Sequence, residues 1–399
     1  MTFLSYGRQV IDREDVESVT RALQGDFLTT GPTSALFEEA LAYQLQSSHV
    51  TVCSSGTAAL HLAFLALQPF PHDRCAAIVP TVTFVATANT AHMAGLHVVF
   101  SDVDPDTGLM RACDLEDAVN RCHTMNVVPY VVVPVHMAGQ TVEMSELIPL
   151  AKRHGCAVIV DAAHALGSEE ADAISVGSDQ SAACMTCFSF HPVKTITTGE
   201  GGAISTASSE LAQKLRWLRN HGILREPDFF HQKDLAWTDA DLNVWYYELH
   251  TIAPNYRLSD VHCALGLSQL RKLDRFLDIR ADLVAHYYAG CLSLAPALVP
   301  LKNLQRPRTG WHLFAVLVDF HSKGTTRCAV MKKLHQLGIG TQVHYIPVHT
   351  HPFYQKHSPT PELPGAAEYY RRALSLPLSA AMTRDDVDRV VDAVARVLA

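Results

Sequence analysis

The chain has 399 residues, more than the roughly 100–200 residues of a typical domain, so its length predicts two domains. Hydrophobic residues make up 48% of the chain and charged residues 18%, a composition that excludes a disordered or fibrous protein. A formal net charge of −8 disfavours nucleic-acid binding, because it repels a phosphate backbone. The richest apolar run, residues 127–135, is far shorter than the roughly 20 residues that span a bilayer, so no membrane association is predicted.

Cysteine and histidine usage bears on the compartment and on metal binding. Ten Cys residues lack the dense, regular spacing of a disulfide framework, and the first residues show no secretory signal, so we expect a cytoplasmic protein. His344, His349 and His351 lie close together, but they lack a Cys or carboxylate partner at ligand spacing. Pro347 also interrupts any helical presentation of these rings. The sequence therefore predicts no metal site.

From residue 49 onward, short β-branched runs alternate with stretches that have helical spacing. This alternation is typical of an α/β domain in which helices cover a mainly parallel, doubly wound sheet. We assign residues 1–250 to this large domain. Predicted helices cover residues 57–67, 84–94, 114–121 and 145–154, and predicted strands cover 49–53, 75–79, 97–103, 127–135, 157–161 and 184–190, with a further extended stretch at 203–205.

After residue 207 the periodicity becomes mainly helical, and residues 251–399 are expected to form a small C-terminal α+β domain. Residues 225–250 are rich in aromatic and charged side chains without clear periodicity, which indicates a functional loop or insertion. The remaining predictions are helices over 210–218, 259–288, 328–337 and 385–398, and strands over 313–318 and near 342–345.

Ser55, Gly56 and Thr57 stand where a predicted strand turns into a predicted helix. Free backbone N–H groups and the positive end of the helix would face an anion there, and a phosphate fits that place. The same residues could simply cap the helix, as happens at many strand-to-helix turns. Neither a nucleoside-triphosphate loop nor a dinucleotide fingerprint is present in the sequence.

Asp161 and Lys194 are the residues that point to a specific chemistry. Asp161 ends an apolar run, so its carboxylate should emerge at the carboxyl end of a strand, where open α/β sheets bind ligands. Lys194 leaves an apolar strand for a Thr/Gly-rich turn, and a half-buried lysine becomes a nucleophile for carbonyls. Taken singly, Asp161 could cap the next turn and Lys194 could be a solvated turn residue. Together with Ser189 and the anion site, they supply what pyridoxal phosphate needs, namely a Schiff-base lysine, a partner for the ring nitrogen and a phosphate cradle.

Several segments carry a family resemblance that runs through nearly the whole chain. In their order and in their residues they resemble the sugar aminotransferase family of fold-type-I pyridoxal-phosphate enzymes, whose members aminate keto sugars attached to nucleotides. Within that family they are most similar to the branch that serves pseudaminic acid biosynthesis. The segments are residues 6–9, 26–32, 161–169, 188–202, 255–260, 264–270 and 342–345.

The resemblance implies the type I fold of pyridoxal-phosphate-dependent transferases and pyridoxal 5′-phosphate as the cofactor. It implies that Lys194 binds the cofactor covalently and moves the proton, and that Asp161 pairs with the ring nitrogen. His164 would contact the phenolic oxygen or the ring, and Phe84 would stack on the ring face. A homodimer with shared sites is also implied. The phosphate would be held by Gly56, Thr57 and Ser189 of one subunit together with Asn255 of the partner subunit.

The resemblance also implies a substrate. An amino group would move from an amino acid, which we take to be L-glutamate, to C4 of a UDP-linked 4-keto-6-deoxy-acetamido sugar. Alternatives are a GDP- or dTDP-linked keto sugar, a pyridoxamine-dependent sugar dehydratase and a non-catalytic regulatory protein, and the retained Lys194 argues against the last two. The implied substrate residues, each of which could instead be a surface or packing residue, are Tyr6, Thr29, His344 and Tyr345 near the sugar and Arg225 near the diphosphate.

Overall fold

A seven-stranded sheet forms the centre of the computed structural model, which describes residues 3–357 and 362–399. The strands are β1 (His49–Cys53), β2 (Cys75–Pro80), β3 (His97–Ser101), β4 (Val128–Val132), β5 (Ala157–Asp161), β6 (Met185–Ser189) and β7 (Gly202–Thr206). They lie in the order β1-β7-β6-β5-β4-β2-β3, and every neighbouring pair is parallel except the two that involve β7. The predicted α/β fold with a large, mainly parallel sheet is confirmed.

Seven helices precede, connect or directly follow these strands in the described part of the chain. They are α1 (Arg13–Gln24), α2 (Thr33–Leu45), α3 (Gly56–Ala66), α4 (Val85–Met93), α5 (Ala112–Thr124), α6 (Met144–Arg153) and α7 (Ser209–Arg219). The strands can be apolar on both faces because helices cover the sheet, with α3 on β6 and β7 and α5 on β2, β3 and β4. The five predicted helices from α3 to α7 are confirmed within a few residues, whereas α1 and α2 had no counterpart among the predicted elements.

The predicted strand over residues 127–135 is too long, because β4 ends at Val132. The N–H of Val133 still donates to the carbonyl of Ile78 over 2.9 Å, but Pro134 has no N–H with which to continue the ladder. Pairing with β5 resumes at Val135, which forms an isolated parallel bridge with Asp161, and the N–H of His136 donates to the carbonyl of Asp161 over 3.0 Å. This pairing places the following residues beside the end of β5.

The predicted single helix over residues 259–288 is wrong, because the structure has two helices, α9 (Asp260–Leu270) and α10 (Leu273–Cys291). Lys272 leaves helical geometry, with φ −103° and ψ 0°, and its ammonium group binds the carboxylates of Asp12 and Asp15. The break gives the two helices different partners. Helix α9 packs on α1 and α2, whereas α10 packs on the last helix of the chain, α14 (Arg384–Leu398).

The C-terminal part contains a three-stranded antiparallel sheet formed by β12 (Leu298–Pro300), β13 (Phe314–Val318) and β14 (Ala373–Leu376). Its remaining helices are α11 (Arg327–Gln336), α12 (Pro352–His357) and α13 (Pro364–Arg372). The strand predicted near 342–345 is wrong, since only Gln342 pairs there, in an isolated bridge to Ser375. The carbonyl of His344 accepts a hydrogen bond from the Tyr369 hydroxyl over 2.9 Å, which occupies a backbone group that a strand would need.

The insertion at 225–250 folds around one buried carboxylate. Its elements, together with the strand that precedes it, are β8 (Ile223–Leu224), α8 (Lys233–Ala236), β9 (Trp237–Thr238), β10 (Asp241–Leu242) and β11 (Glu248–Leu249). Each oxygen of Glu248 accepts two hydrogen bonds, from the His231 N–H and His250 on one side and from the Gln232 N–H and Tyr246 on the other. Burial raises the pKa of Glu248, but these hydrogen bonds outweigh it and lower the pKa to about 2. Although His231, Glu248 and His250 lie close together, the carboxylate already serves the loop and has no lone pair left for an ion.

Buried apolar side chains form two main clusters. The larger one fills the space around the large sheet, and the second draws on residues 283–398. Helix α10 contributes to both, with Phe276 and Leu277 in the first cluster and Val284 and Tyr287 in the second. A division into domains after residue 250 stays a prediction. Every helix in the described part of the chain is too short or too polar to cross a membrane.

Replacing Lys272 should destabilise the protein, because Lys272→Ala leaves the buried Asp15 carboxylate without its cation. We expect the free energy of unfolding to fall by roughly 3–5 kcal/mol, the cost of breaking a buried ion pair from one side. Urea denaturation followed by tryptophan fluorescence measures this change, with the exposed Lys323→Ala as the matched control. Equal midpoints for the two variants would contradict the role given to Lys272.

Candidate active site

A cavity of about 600 Å³ opens at the carboxyl ends of the parallel strands. Its walls come from the turns after β1, β5 and β6, from the start of α4, and from residues 342–346 of the C-terminal part. Open α/β sheets bind ligands at this edge, because the strand ends leave side chains and helix N-termini facing one crevice. The predicted site residues that line it are Tyr6, Gly56, Thr57, Phe84, Asp161, His164, Ser189, Lys194, His344 and Tyr345.

The turn after β1 forms an anion cradle. Ser55 caps α3, since its side chain accepts a hydrogen bond from the Ala58 N–H over 3.0 Å. Gly56 and Thr57 are the first residues of the helix, so their N–H groups have no acceptor inside it. Gly56 lies so close to Ser189 that an added Cβ would stand 2.7 Å from the Ser189 Cβ. The cap and the anion site therefore coexist: Ser55 caps, while the next two N–H groups and the Ser189 hydroxyl can bind a phosphate.

Asp161 is the buried acidic group of the cavity, whereas Glu200, which also lines it, is exposed. Asp161 ends β5 and accepts hydrogen bonds from the Thr87 hydroxyl at 2.8 Å and the Ala163 N–H at 3.1 Å. Burial raises the pKa of Asp161, and the bonds from Thr87 and Ala163 together with the charge of Lys194 offset that increase only in part. A carboxylate in such a place gains from a cationic partner, because pairing favours its ionised form.

Lys194 is the nucleophile candidate. It follows β6 in a turn, where its N–H donates to the His191 carbonyl over 2.8 Å, and its side chain is half-buried. Burial lowers the pKa of the Lys194 ammonium group to about 8, against the opposing charge of Asp161. A much larger share of this amine is therefore neutral near pH 7 than for an ordinary lysine, which suits attack on a carbonyl.

His164 is held in one protonation state by its neighbours. Burial, with the charges of Lys194 and His344, lowers the pKa of His164 far below its ordinary value, so the ring is neutral. Its Nδ1 accepts a hydrogen bond from the Ala138 N–H over 3.3 Å, which places the ring proton on Nε2. Nε2 then donates to the hydroxyl oxygen of Tyr345 at 3.0 Å. The Tyr345 hydroxyl keeps its own proton, because burial raises its pKa, and can donate that proton to a ligand oxygen.

The N-terminal segment brings Tyr6 to the same cavity. The Tyr6 carbonyl accepts from the Leu378 N–H over 3.1 Å, and the Tyr6 ring lies 5.4 Å from the ring of His344. His344 is buried and bonds Ser375 through Nδ1 at 2.8 Å, and burial with the charge of Lys194 lowers its pKa to about 3. The Phe84 side chain, 55% exposed, lies 5.9 Å from the Tyr345 ring. These four rings form the wall opposite the strand ends.

Three predicted residues lie outside this cavity. Thr29 and Arg225 are exposed, and the guanidinium of Arg225 rests 5.3 Å from the ring centre of Tyr247. Asn255 is also exposed, and its side chain accepts from the Arg257 N–H over 3.3 Å. Within one subunit these side chains do not line the site, so their roles stay predictions that require a second subunit.

Thr87 and His312 are two of the lining or supporting residues that were missed in the sequence. Thr87 contacts Asp161, and its place one helical turn after Phe84 was a usable signal. His312 is buried with its ring 4.4 Å from that of His164, and its Nδ1 has no partner among the described residues. No local pattern around His312 distinguishes it from a core residue.

Comparison with known proteins places this site in a family context. Residues 9–395 match the model of the DegT/DnrJ/EryC1/StrS aminotransferase family. The spore coat polysaccharide biosynthesis protein SpsC of Bacillus subtilis is 36% identical, covering 98% of this chain and 96% of that protein. The UDP-4-amino-4,6-dideoxy-N-acetyl-beta-L-altrosamine transaminase of Campylobacter jejuni is 34% identical, covering 99% and 97%.

Solved structures give the same picture. Helicobacter pylori PseC, an aminotransferase involved in pseudaminic acid biosynthesis, superposes with a TM-score of 0.89 at 31% identity, covering 100% of this chain and 99% of that one. The putative sugar aminotransferase Spr1654 of Streptococcus pneumoniae, in its PMP form, superposes with a TM-score of 0.86 at 25% identity, covering 99% of each chain. The similarity therefore extends over both the large sheet and the C-terminal part.

The lowered pKa of Lys194 predicts a distinctive reactivity in the protein without ligands. Reductive methylation of Lys194 should rise with pH through about 8, since only the neutral amine attacks the aldehyde. Peptide mass spectrometry at a series of pH values measures it, with the exposed Lys323 as an internal rate standard. Asp161→Asn removes a charge that raises the pKa of Lys194, so the profile should move to lower pH. A profile that moves to higher pH would refute the assigned coupling.

Proposed function

The chain belongs to the DegT/DnrJ/EryC1/StrS aminotransferase family, and from that premise we propose that it moves an amino group from L-glutamate to C4 of a UDP-linked 4-keto-6-deoxy-acetamido sugar. It is a pyridoxal-phosphate-dependent sugar aminotransferase. The observation that carries the proposal is that Lys194, Asp161 and the anion cradle at Gly56 and Ser189 lie in one cavity. The choice of sugar is supported by the full-length similarity to the altrosamine transaminase and to PseC.

The residues of the cavity fit the cofactor. Pyridoxal phosphate supplies, when bound, an electron-withdrawing ring that lets an amino group pass between two carbonyl compounds. The N–H groups of Gly56 and Thr57 and the hydroxyl of Ser189 can bind its phosphate. Asp161 can keep a proton on the ring nitrogen, because an ionised carboxylate stabilises the cationic ring. Phe84, at the mouth of the cavity, can cover the ring face and exclude water.

Proton transfer falls to Lys194. With a pKa of about 8, its amine can accept a proton from the Cα of the amino donor and return it at neutral pH. Tyr345 can donate to a substrate oxygen, because the Nε2–H of His164 already occupies one lone pair of its hydroxyl. Tyr6 and His344 line the same wall and can contact the sugar.

A charge argument supports a homodimer with shared sites. Of the described residues that line the cavity, Lys194 is the one lysine or arginine, whereas a sugar diphosphate and glutamate both bring negative charge. The exposed Arg225 of the partner subunit can supply a positive charge, and the partner's Asn255 can add a neutral amide donor. The adjoining surface is unusually apolar for one exposed to water, since Val244 is 88%, Trp245 71% and Ile252 91% exposed. Covering such side chains favours association of two copies.

A second relative bears on the substrate, and the cysteines bear on the compartment. SpsC, named for spore coat polysaccharide biosynthesis, is 36% identical to this chain and the altrosamine transaminase is 34% identical, so a keto sugar nucleotide that serves polysaccharide biosynthesis is the second candidate substrate. The ten cysteines are free thiols, which supports action in the reducing cytoplasm.

Substrate profiling tests the reaction. The purified protein, loaded with pyridoxal phosphate, is incubated with L-glutamate and a UDP-, GDP- or dTDP-linked 4-keto sugar, and mass spectrometry follows the amino sugar and 2-oxoglutarate. We expect turnover with the UDP sugar and a loss of at least about 10³-fold in Lys194→Ala, which removes both nucleophile and proton carrier. Turnover with only the GDP- or the dTDP-linked sugar would show that the substrate carries that nucleotide and not UDP. Undiminished turnover in Lys194→Ala would refute the mechanism.

Mixing two inactive variants tests the shared site. Lys194→Ala disables a subunit's own cavity, and Arg225→Ala would disable that of its partner. In a mixed dimer one cavity carries both defects and the other carries neither. Random exchange in an equimolar mixture should therefore restore about a quarter of the wild-type rate. If Arg225 acts within its own subunit, both cavities stay defective and no activity returns.

A further inference from the structure

Behind Asp161 lies a chain of two buried hydroxyl groups. Thr87, in the first turn of α4, places its Oγ1 2.8 Å from the Asp161 Oδ2, and Thr83 places its Oγ1 2.8 Å from that of Thr87. The exposed fraction is 1% for Thr83, 0% for Thr87 and 5% for Asp161. Water therefore does not compete for these hydrogen bonds, and each group depends on the next.

The direction of the bonds follows from the number of protons. An ionised Asp161 only accepts, so Thr87 must donate to it. The alternative acceptors for the Thr87 proton are both neutral: the Thr83 hydroxyl at 2.8 Å and the Phe84 carbonyl, which is more distant, at 3.2 Å. The charged carboxylate of Asp161 is the stronger acceptor, so it takes the hydrogen bond from Thr87. Thr87 therefore has no proton for Thr83, and Thr83 must donate to Thr87.

This chain determines how Asp161 presents itself to the cavity. One carboxylate oxygen is fixed by the Ala163 N–H and the other by the Thr87 hydroxyl, so the plane of the carboxylate is set from both sides. The remaining lone pair on each oxygen is left for a ligand. The Ala163 contribution comes from the backbone, which makes Thr87 the side chain that controls the carboxylate.

We propose that Thr87, supported by Thr83, is a positioning residue that keeps Asp161 ionised and aimed at the cofactor's ring nitrogen. This inference rests on the proposed function of Asp161 as the partner of that nitrogen. Donor hydroxyls aligned in series polarise one another, so the bond at the carboxylate is stronger than that of an isolated threonine.

The test measures binding of pyridoxal phosphate to the apoprotein as a function of pH, by absorbance titration. Thr87→Val keeps the shape and removes the donor. We expect the dissociation constant to rise about tenfold to a hundredfold, as for loss of a hydrogen bond to a charged group. The pKa of Asp161 should rise further, so affinity should be lost at a higher pH than in the wild type as the pH falls. Thr87→Ser restores the hydroxyl and should restore both values, whereas Thr83→Val should give a smaller change in the same direction.

A matched control separates this role from the stability of the helix. Thr90 is also buried in α4, but its hydroxyl donates to the Ala86 carbonyl over 2.7 Å and does not contact Asp161. Thr90→Val should leave the affinity and its pH profile at the wild-type values. An equal effect in Thr90→Val, or none in Thr87→Val, would overturn the proposal.

A double-variant comparison separates the inference from the function on which it rests. In Asp161→Asn the carboxylate is gone, so adding Thr87→Val should change the dissociation constant no further. A full additional loss would show that Thr87 acts elsewhere and would overturn the proposal. If Asp161→Asn itself leaves cofactor binding unchanged, the assigned role of Asp161 fails first. If Asp161→Asn weakens binding and Thr87→Val does not, the inference alone fails.

Discussion

Asp161 and Lys194 share one cavity, and burial opposes the charge on both. It raises the pKa of the carboxyl group and lowers that of the ammonium group, while their mutual attraction works in the other direction. The result is a lysine that is close to half neutral at about pH 8, facing a carboxylate that is supported by Thr87 and the Ala163 N–H. The proposed chemistry needs both groups in one cavity, because the amine attacks a carbonyl and the carboxylate pairs with a cationic ring.

The buried histidine rings of the cavity add no positive charge of their own. His164 and His344 line it as neutral rings, since burial and the charge of Lys194 keep both pKa values low. The anion cradle at Gly56 uses backbone N–H groups in place of a cationic side chain. A cavity of this kind binds one phosphate well but needs further cations for a diphosphate, which is the physical argument for a contribution from the partner subunit.

Contacts between distant segments hold the two walls of the cavity together. Helix α10 belongs to both apolar clusters, and Lys272 just before it binds the acidic residues that begin α1. The N-terminal segment also contacts the C-terminal part, where the Leu378 N–H donates to the Tyr6 carbonyl. The wall formed by Tyr6, His344 and Tyr345 is thus fixed relative to the strand ends.

The sequence by itself determined the elements whose signal is local: β1 and β5 over the predicted residues, the helices between them, and the placing of Asp161 at a strand end and of Lys194 in the turn after a strand. It also determined the family, through motifs spread along the chain. Only the tertiary structure decided where residues 259–288 break, because the cause is an ion pair with Asp15, more than two hundred residues away. The same holds for the lost strand at 342–345, for the tautomer of His164, which a backbone N–H sets, and for the hydroxyl behind Asp161. Periodicity reports which side of an element is buried, whereas these features depend on which distant group is buried against it.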